Sequence, residues 1–315
     1  MPLPAFNPDQ FAIRIQDGDV KTIRQALADA FPEIDVSEDP LGETGKTNIL
    51  VTFRPPENED ISHYDWIHSL GAGFDQIAAA LQYTDNKPII TRTHGTMGRQ
   101  MGEYCLTYTL AHLQKIATRQ ALQTEHNWWR KKASPDYCFD QSVAIFGTGE
   151  IGKGIAEVFS LMRAKVTGFS RSGRAVEGFD RTHAFGDFQA GHAFDVIISA
   201  LPATPDTKDL LNADVFAKFD GTLFINVGRG ATVDEDALKH ALDEGQVSHA
   251  VLDVMKTEPL PEDHWMWSHP KVTLTPHVSG LTRPQDAADA LIAHLQTTIA
   301  TGQLPKTVFD PDRGY

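Results

Sequence analysis

The stretch from Val143 to Gly152 constrains the fold of this chain more than any other, because four apolar residues lead directly into the pattern G-x-G-x-x-G. A short uninterrupted apolar run is typical of a parallel strand that is covered on both faces. We expect Gly147 to form the tight turn after this strand. Gly149 would let the backbone approach a pyrophosphate, and Gly152 would let the next helix pack closely.

A helix is predicted from Ile151 to Leu161, with its first N–H groups directed at the anion. The pattern in this context indicates a dinucleotide-binding site. A glycine-rich turn without a ligand is the alternative, but a strand before the glycines and a helix after them favour the site. The residues assigned to it are Gly147, Gly149, Glu150, Ile151 and Gly152.

The strand after that helix indicates which dinucleotide is bound. It runs from Lys165 to Phe169 and is followed by a loop rich in serine and arginine. An NAD site usually has an acidic residue at the end of this strand to bind the ribose 2′-hydroxyl, and Ser170 is not acidic. Arginine and hydroxyl donors instead suit a 2′-phosphate, which a carboxylate would repel. We predict NADP(H) as the preferred cofactor, with NAD(H) left open and two solvated arginines as the alternative. The assigned residues are Ser170, Arg171, Ser172 and Arg174.

The composition excludes several classes of protein. The chain has 315 residues, enough for two domains, and is 41% hydrophobic and 22% charged, as ordinary globular proteins are. Its net charge of −14 argues against nucleic acid and anionic membranes as partners. Cys105 and Cys138 fit no metal or redox spacing, and no apolar run is long enough to span a bilayer. Because the first residues also lack the features of a signal peptide, we expect a cytoplasmic protein.

The first segment alternates apolar runs with helical spacing, which predicts a small α/β domain of flavodoxin-like type. The predicted strands and apolar runs are Phe11–Ile15, Asn48–Phe53, Trp66–Leu70 and Pro88–Thr91, and the predicted helix is Val20–Phe31.

A long helix is predicted to follow from Gln100 to Gln123, since this stretch has no internal proline and is apolar on nearly all sides. A helix of that kind is buried, and we expect it between domains or subunits. The stretch Trp128-Trp129-Arg130-Lys131-Lys132 pairs aromatic with basic residues, as some single-strand nucleic-acid sites do. The acidity of the whole chain favours an interface or an arm instead.

From Ser142 the sequence is a regular series of strands and helices, which predicts a doubly wound parallel sheet. The expected strands are Val143–Phe146, Val166–Phe169, Val196–Ser199, Leu223–Val227, Ala250–Asp253 and Val272–Thr275, with helices that include Asp234–Glu244 and a final Gln285–Thr301. Because the dinucleotide domain begins in mid-chain, we expect the final helix to cross back to the first domain. The predicted domains are a cofactor domain, 97–283, and a discontinuous substrate domain, 1–96 plus 284–315.

Three chemically active side chains, Arg229, Glu258 and His277, follow successive strands of the second domain. They are expected at the carboxyl ends of these strands, where open α/β sheets bind their ligands. Histidine can supply a proton near neutral pH, and a carboxylate beside it favours the imidazolium. Arginine can bind a carboxylate and polarise a carbonyl. Together they predict carbonyl reduction by hydride transfer; a loop histidine, a solvated glutamate and a turn arginine are the alternatives for each residue alone.

No metal site is predicted. The remaining candidate histidines are scattered and lack the spacing of metal ligands, and hydride transfer to a carbonyl needs no metal. These histidines are His63, His68, His264 and His269. The sequence also lacks a G-x-S-x-G elbow and a G-x-x-x-x-G-K-[ST] loop.

These motifs resemble those of the D-isomer-specific 2-hydroxyacid dehydrogenase family over nearly the whole chain. The shared motifs are Gly71-Ala72-Gly73-Phe74-Asp75, the glycine pattern from Gly147 to Gly152, Asn226-Val227-Gly228-Arg229-Gly230, Leu252-Asp253-Val254, Thr257-Glu258-Pro259-Leu260 and Thr275-Pro276-His277. Within the family, the sequence is most similar to the bacterial glyoxylate/hydroxypyruvate reductase A branch. That similarity rests on Phe53-Arg54-Pro55-Pro56, Met97–Tyr104, Ser170-Arg171-Ser172 and Asp312-Arg313-Gly314-Tyr315.

The resemblance implies roles for individual residues and a homodimer formed through the cofactor domain. It implies Arg229 as the anchor of a substrate carboxylate, Glu258 as the partner of the histidine, and His277 as the acid/base. The residues expected at the substrate are Phe53 and Arg54 and the backbone of Leu70, Gly71, Ala72 and Gly73. The further residues assigned to the cofactor are Leu201, Pro202, Thr207, Val227, Gly228, Asp253 and Ser279.

The resemblance also implies a reaction: NADPH-dependent reduction of glyoxylate to glycolate and of hydroxypyruvate to D-glycerate, with His277 as the proton donor. The branch more often has Trp and His at the positions of Phe53 and Arg54, so another 2-ketoacid, such as phenylpyruvate, is an open alternative. A dinucleotide-sensing scaffold, like the corepressor relatives of the family, is the other. The expected partners are therefore a small 2-ketoacid and a second copy of the chain, without nucleic acid or membrane.

Overall fold

The structure is a computed structural model that describes residues 6–42, 45–81, 88–189 and 194–308. The chain divides into two compact units, one formed by Met1–Thr96 with Leu281–Tyr315 and the other by Met97–Gly280. The chain thus returns to the first unit after residue 280, whereas the sequence placed this boundary after residue 283. The motif Asp312-Arg313-Gly314-Tyr315 lies outside the described residues.

Strands and helices alternate in both units. The helices are α1 (Val20–Ala30), α2 (Asp75–Ala80), α3 (Met97–Leu113), α4 (Ile116–Thr124), α5 (Arg130–Ala133), α6 (Glu150–Leu161), α7 (Ala213–Phe216), α8 (Glu235–Asp243) and α9 (Pro284–Thr301). The strands are β1 (Phe11–Ile15), β2 (Asp35–Ser37), β3 (Thr47–Thr52), β4 (Trp66–Ser69), β5 (Ile89–Arg92), β6 (Ser142–Phe146), β7 (Lys165–Ser170), β8 (Arg181–Ala184), β9 (Val196–Ser199), β10 (Thr222–Asn226), β11 (Val247–Leu252) and β12 (Val272–Leu274). Among the described residues, no helix is both long and apolar enough to cross a membrane.

The first unit contains a parallel sheet with the strand order β2-β1-β3-β4-β5, which is the flavodoxin-like order. Successive side chains of a strand point to opposite faces, so Ile49 of β3 lies in one core and Leu50 in the other. Helices α1 and α9 cover the first face, where Leu291 and Leu295 of α9 are fully buried. The final helix of the chain therefore packs in the same unit as the first strand.

The second unit contains a parallel sheet with the order β12-β11-β10-β9-β6-β7-β8. The order reverses between β6 and β9, and a doubly wound sheet binds its ligand at such a point. The predicted class, two parallel α/β domains with a doubly wound cofactor sheet, is confirmed. The expectation of six strands is wrong, because β8 adds a seventh at the edge. Its sequence, Arg-Thr-His-Ala, is too polar to produce the apolar signal of a buried strand.

The expected single helix from Gln100 to Gln123 is wrong. Helix α3 ends at Leu113 and α4 begins at Ile116, because Lys115 adopts a left-handed conformation with φ of 53°. The backbone N–H of Asp136 then donates to the carbonyl of Leu113, at 3.0 Å, and so satisfies an acceptor at the helix end.

Within a single chain α3 is buried on one face, and the expectation that it lies buried between domains or subunits stays a prediction. Met101, Cys105 and Thr109, one turn apart, are buried, whereas Glu103 and Thr107 are exposed. Helix α3 therefore has one buried face, with the spacing of an ordinary amphipathic helix.

Helices α3 and α6 pack with their backbones in direct contact. A Cβ placed at Gly98 of α3 would lie 3.0 Å from the carbonyl oxygen of Glu150. One placed at Gly154 of α6 would lie 2.4 Å from the carbonyl carbon of Gly98, and one at Gly102 would lie 2.6 Å from Cγ2 of Val158. Glycine at these positions lets the two helices approach this closely.

Candidate active site

The glycine turn after β6 has the geometry that the sequence pattern requires. Gly147 has a positive φ of 106°, and a Cβ there would lie 2.8 Å from the carbonyl oxygen of Ala200. A Cβ at Gly152 would lie only 1.9 Å from the carbonyl oxygen of Gly147, so helix α6 could not pack at this distance with any other residue. These two glycines are required by the protein's own packing.

Gly149 differs from the other two glycines of the turn. It is the N-cap residue of α6, with no side-chain cap, and a Cβ there would meet no atom of the described residues within 4 Å. An open space at a helix N-terminus suits an anion such as a pyrophosphate. The assignment of this turn, with Glu150 and Ile151, to a cofactor stays a prediction.

The loop after β7 presents its arginines to solvent. The hydroxyl of Ser170 accepts the backbone N–H of Gly173 at 3.2 Å, and the hydroxyl of Ser172 accepts Nε of Arg174 at 3.3 Å. Arg171 is exposed, with Nη1 4.0 Å from a carboxylate oxygen of Asp206. An exposed ion pair of this length contributes little, so Arg171 can exchange Asp206 for a phosphate. Asp206 was not identified from the sequence, since it comes from the separate loop after β9.

The loops after β9 and β10 touch each other next to the point where the strand order reverses, between β6 and β9. Leu201 and Val227 are buried, and a Cβ at Gly228 would lie 2.5 Å from the carbonyl oxygen of Leu201. The hydroxyl of Thr207 donates to the carbonyl of Pro202 at 2.6 Å and so closes the first loop on itself. These predicted cofactor residues therefore lie at the ligand-binding edge of the sheet.

Asp253 is fully buried after β11, and its carboxylate organises the loop after β12. Its Oδ1 accepts the N–H of Val278 and its Oδ2 accepts the N–H of Ser279, both at 2.9 Å. The hydroxyl of Thr275 donates to Oδ1 as well. Ser279 is buried, and its own hydroxyl has no partner among the described residues. A buried hydroxyl without a partner is unusual in a folded protein and suits a bound polar ligand.

The structure brings His277 and Glu258 into contact. Nδ1 of His277 lies 2.8 Å from Oε2 of Glu258, and Oε1 of Glu258 accepts the N–H of Met255 at 3.0 Å. Because an ionised carboxylate only accepts, Nδ1 carries a proton and the second ring nitrogen, Nε2, is the one that can exchange protons with a ligand. The side chain of His277 is 45% exposed, so a small substrate can reach it.

His277 is held in a left-handed conformation, with φ of 56°. Its N–H donates to the carbonyls of Asp253 and Thr275, at 3.0 and 3.1 Å. A non-glycine residue with positive φ is uncommon, and its surroundings must stabilise it.

Arg229 follows β10 and is half-buried. Its Nη1 donates to the carbonyl of Gly228 at 2.8 Å, and its own carbonyl accepts the hydroxyl of Thr232 at 2.7 Å. The short turn after β10 therefore fixes its backbone at the same edge of the sheet.

The predicted substrate residues of the first unit form two adjoining loops. Phe53 is 40% exposed, and its ring would lie 3.7 Å from a Cβ at Gly71. The carboxylate of Asp17 accepts the N–H groups of Phe53, at 2.6 Å, and of Arg54, at 3.3 Å. Asp17 was not identified from the sequence, because no motif surrounds it and its partners lie more than 30 residues away.

The glycine loop after β4 is stabilised by its own side-chain contacts. Leu70 is buried, and the hydroxyl of Ser69 donates to the carbonyl of Gly73 at 2.9 Å. Nη1 of Arg92 donates to the carbonyl of Ala72 at 3.2 Å. The carbonyls of Ala72 and Gly73 are thus occupied by protein donors, which fixes the loop in one conformation.

Comparison with known proteins identifies the family. Residues 106–279 match the D-isomer specific 2-hydroxyacid dehydrogenase family, in its NAD binding domain. The chain belongs to this family. It is therefore an oxidoreductase of the NAD(P)-dependent 2-hydroxyacid dehydrogenase class, and the resemblance inferred from the motifs is confirmed. The matched range includes the glycine turn, Arg229, Glu258 and His277.

Individual dehydrogenases of the family are similar over nearly the whole chain. The glyoxylate/hydroxypyruvate reductase A of Serratia proteamaculans is 32% identical over 301 residues, which cover 92% of this chain and 94% of the relative. A solved family member from Xanthobacter autotrophicus, in complex with NADPH and MES, is 29% identical and has a TM-score of 0.83, covering 97% of this chain and 99% of that one. The NADPH-dependent glyoxylate/hydroxypyruvate reductase of Sinorhizobium meliloti, in complex with NADP and sulfate, is 29% identical with a TM-score of 0.77, over the same shares of the two chains.

Proposed function

We propose that this enzyme uses NADPH to reduce short 2-ketoacids, converting glyoxylate to glycolate and hydroxypyruvate to D-glycerate. The observation that carries the proposal is the contact of His277 with Glu258, at 2.8 Å, on the sheet that also bears the glycine turn. Support comes from the relatives in Serratia and Sinorhizobium, which are named as reductases of these two substrates.

The residues present fit a bound NADP(H). The space at Gly149 and the buried hydroxyl of Ser279, for which the described residues offer no partner, both suit a polar ligand. Ser172 and the exposed Arg171 and Arg174 would hold the 2′-phosphate with charge-assisted hydrogen bonds. When bound, NADPH supplies the hydride that reduces the substrate carbonyl.

The side chains of the enzyme would then have three tasks. Arg229 would bind the substrate carboxylate, and a guanidinium can do so with two parallel bonds. His277, as imidazolium, would donate its Nε2 proton to the oxygen on which charge develops. Glu258 would keep the Nδ1 proton in place and stabilise the positive ring, since it accepts from that nitrogen at 2.8 Å.

A substrate panel tests the proposal. Glyoxylate, hydroxypyruvate and phenylpyruvate are assayed with NADPH and with NADH, and we expect the first two substrates with NADPH to give the highest kcat/KM. A preference for phenylpyruvate would assign the enzyme to another 2-ketoacid, and Phe53 beside Gly71 would be the first residue to examine. If no short 2-ketoacid oxidised NADPH, the dinucleotide-sensing scaffold would be favoured instead.

Two variants test the assigned residues. His277→Gln should lower kcat by about 10²–10⁴-fold, the usual contribution of a positioned general acid, with the Kd for NADPH little changed. Arg229→Lys keeps the charge but loses the planar fork, so KM for the ketoacid should rise. Equal turnover of simple aldehydes and of glyoxylate would contradict the role of Arg229.

We further propose that the chain forms a homodimer. Large apolar side chains are exposed on the second unit, with Trp128 97% exposed, Leu161 78% and Phe139 56%. Exposed apolar surface of this kind often marks a protein interface. Size-exclusion chromatography coupled to light scattering measures the oligomeric state, and a monomer at micromolar concentration would contradict the proposed homodimer.

A further inference from the structure

We propose that Tyr104 and Thr275 are positioning residues for His277 and act through the buried carboxylate of Asp253. The inference rests on the proposed reductase function. A chain of hydrogen bonds leads from Tyr104 on α3, through Thr275 after β12, to Asp253 after β11, and ends on the backbone of the loop that carries His277.

The hydrogen bonds that join Tyr104, Thr275 and Asp253 all donate in one direction, toward Asp253. The hydroxyl of Tyr104 lies 2.6 Å from Oγ1 of Thr275, which lies 2.5 Å from Oδ1 of Asp253. Because an ionised carboxylate only accepts, the proton of Thr275 points to Asp253. Tyr104 must then be the donor to Thr275. Burial, together with the nearby charge of Asp253, raises the pKa of Tyr104, so its hydroxyl stays protonated.

The carboxylate of Asp253, where these hydrogen bonds end, supports His277 from its C-terminal side. Asp253 binds the N–H groups of Val278 and Ser279 with its side chain, and its backbone carbonyl binds the N–H of His277. The left-handed backbone of His277, with φ of 56°, needs such support. The direction of the Asp253 carboxylate therefore determines where the imidazole is presented to a substrate.

Helix α3 supports the same loop at a second point. A Cβ at Gly280 would lie 2.8 Å from Cγ of Met97 and 3.0 Å from Cε of Met101, so the loop packs directly on the helix. Tyr104 lies one turn further along this face. The contacts of Gly280 are apolar and fix distance only, whereas the Tyr104–Thr275 hydrogen bond also fixes direction.

Asp253 is fully buried, so each donor to its carboxylate matters. It accepts three bonds from described residues, one of them from the hydroxyl of Thr275. A buried charge that loses a donor without access to water turns toward a new partner, and the loop must move with it. Misplacing a catalytic group by about 1 Å can cost about 10²-fold in rate.

The test compares variants that remove a hydroxyl from the Tyr104–Thr275–Asp253 hydrogen bonds with a variant that removes a hydroxyl elsewhere. Thr275→Val keeps the shape but removes the donor, and we expect kcat to fall by about 10–100-fold. Tyr104→Phe leaves Thr275 bound to Asp253, so its kcat should fall by about 3–10-fold, a smaller fraction of the same loss. Any rise in the Kd for NADPH should be smaller than the fall in kcat in both variants, and Thr275→Ser should restore kcat. Thr109→Val is the matched control, because Thr109 is buried on the same helix and its hydroxyl has no partner among the residues that the structure describes.

Two further measurements show whether a lower kcat comes from a displaced His277 or from lost stability, and they do not depend on the proposed function. Thermal unfolding confirms that each variant is folded at the assay temperature. An NMR spectrum of histidine labelled with ¹⁵N reports the Nδ1 proton of His277, which should be protected in the wild type and in Thr275→Ser but exchange rapidly in Thr275→Val, whatever the enzyme turns over. Wild-type kcat and an unchanged Nδ1 proton in folded Thr275→Val would overturn the inference. Absence of 2-ketoacid turnover in the wild type would instead count against the proposed function alone.

Discussion

Two glycines of the turn after β6 should respond to alanine in opposite ways. Within the described ranges, a Cβ at Gly149 would meet no atom closer than 4 Å, whereas a Cβ at Gly152 would lie 1.9 Å from the carbonyl oxygen of Gly147. Gly149 also has a negative φ of −76°, which alanine adopts without strain. Gly149→Ala should therefore leave the fold intact and obstruct only the ligand, and Gly152→Ala should distort the turn itself.

The magnitudes follow from these distances. For Gly149→Ala, the poorer N-cap costs up to about 1 kcal/mol and the reduced freedom of the unfolded chain returns about 0.4–1 kcal/mol, so stability should change by less than about 1 kcal/mol. If the methyl group blocks one charge-assisted bond from the backbone to a phosphate, about 1.5–3 kcal/mol of binding is lost. The Kd for NADPH should then rise by about 10–100-fold. For Gly152→Ala, helix and turn must separate by roughly 1 Å, and overpacking of this kind costs about 1–3 kcal/mol or more.

Binding and stability are measured on the same samples. The fluorescence of NADPH titrated with each variant gives Kd, and urea unfolding without cofactor gives the free energy of unfolding. We expect Gly149→Ala to lose affinity at wild-type stability and Gly152→Ala to lose both. A wild-type Kd in Gly149→Ala would refute the reasoning, because no phosphate could then lie over this residue.

Three further predictions concern cofactor choice, helix capping and pH. Arg171→Ala should weaken NADPH by about 10–100-fold and NADH by less than about threefold, measured as Kd, and equal losses would show that Arg171 does not face the 2′-phosphate. Asp234 caps α8 by accepting the N–H groups of Asp236 and Ala237 at 3.1 Å, so Asp234→Ala should cost about 0.5–2 kcal/mol in urea unfolding, while Asp234→Asn should stay close to wild type. Burial lowers the pKa of His68 from 6.5 to about 3, so between these pH values the unfolded chain binds a proton that the folded chain does not. The free energy of unfolding should fall with decreasing pH by up to about 1.4 kcal/mol per unit from this residue, and a slope in His68→Gln equal to that of wild type would contradict it.

Much of the fold could be predicted because its strands carry a local signal. Most buried strands, such as β1 and β9, are apolar runs and lie where the sequence placed them. Strand β8 was missed because an edge strand needs no apolar run, and its position depends on backbone pairing with β7. The break between α3 and α4 was missed because Gln114 and Lys115 are ordinary helix formers. Lys115, in its left-handed conformation, forms an ion pair with Asp136, and this partner is distant in sequence.

The candidate site also contains residues that could be predicted from the sequence and residues that could not. The contact of His277 with Glu258 could be predicted, because both residues follow neighbouring strands whose ends meet at one edge. The supporting residues Asp17, Tyr104 and Thr275 could not, since each acts through a partner fixed only by the folded chain. Such residues carry no spacing pattern that a single sequence reveals.

The glycine contact between α3 and α6 makes helix α3 a common support for two parts of the proposed site. At Gly98 this helix contacts the first turn of α6, and at Met97 and Met101 it contacts the loop that carries His277. A side chain added at Gly98 would therefore displace the glycine turn and His277 together, and we expect cofactor affinity and turnover to change together in such a variant. In the described part of the chain, the hydroxyls of Ser170 and Ser172 bind groups of their own loop, 170–174, and not α3. We therefore expect mutations in this loop to change cofactor preference while the contact of His277 with Glu258 stays in place.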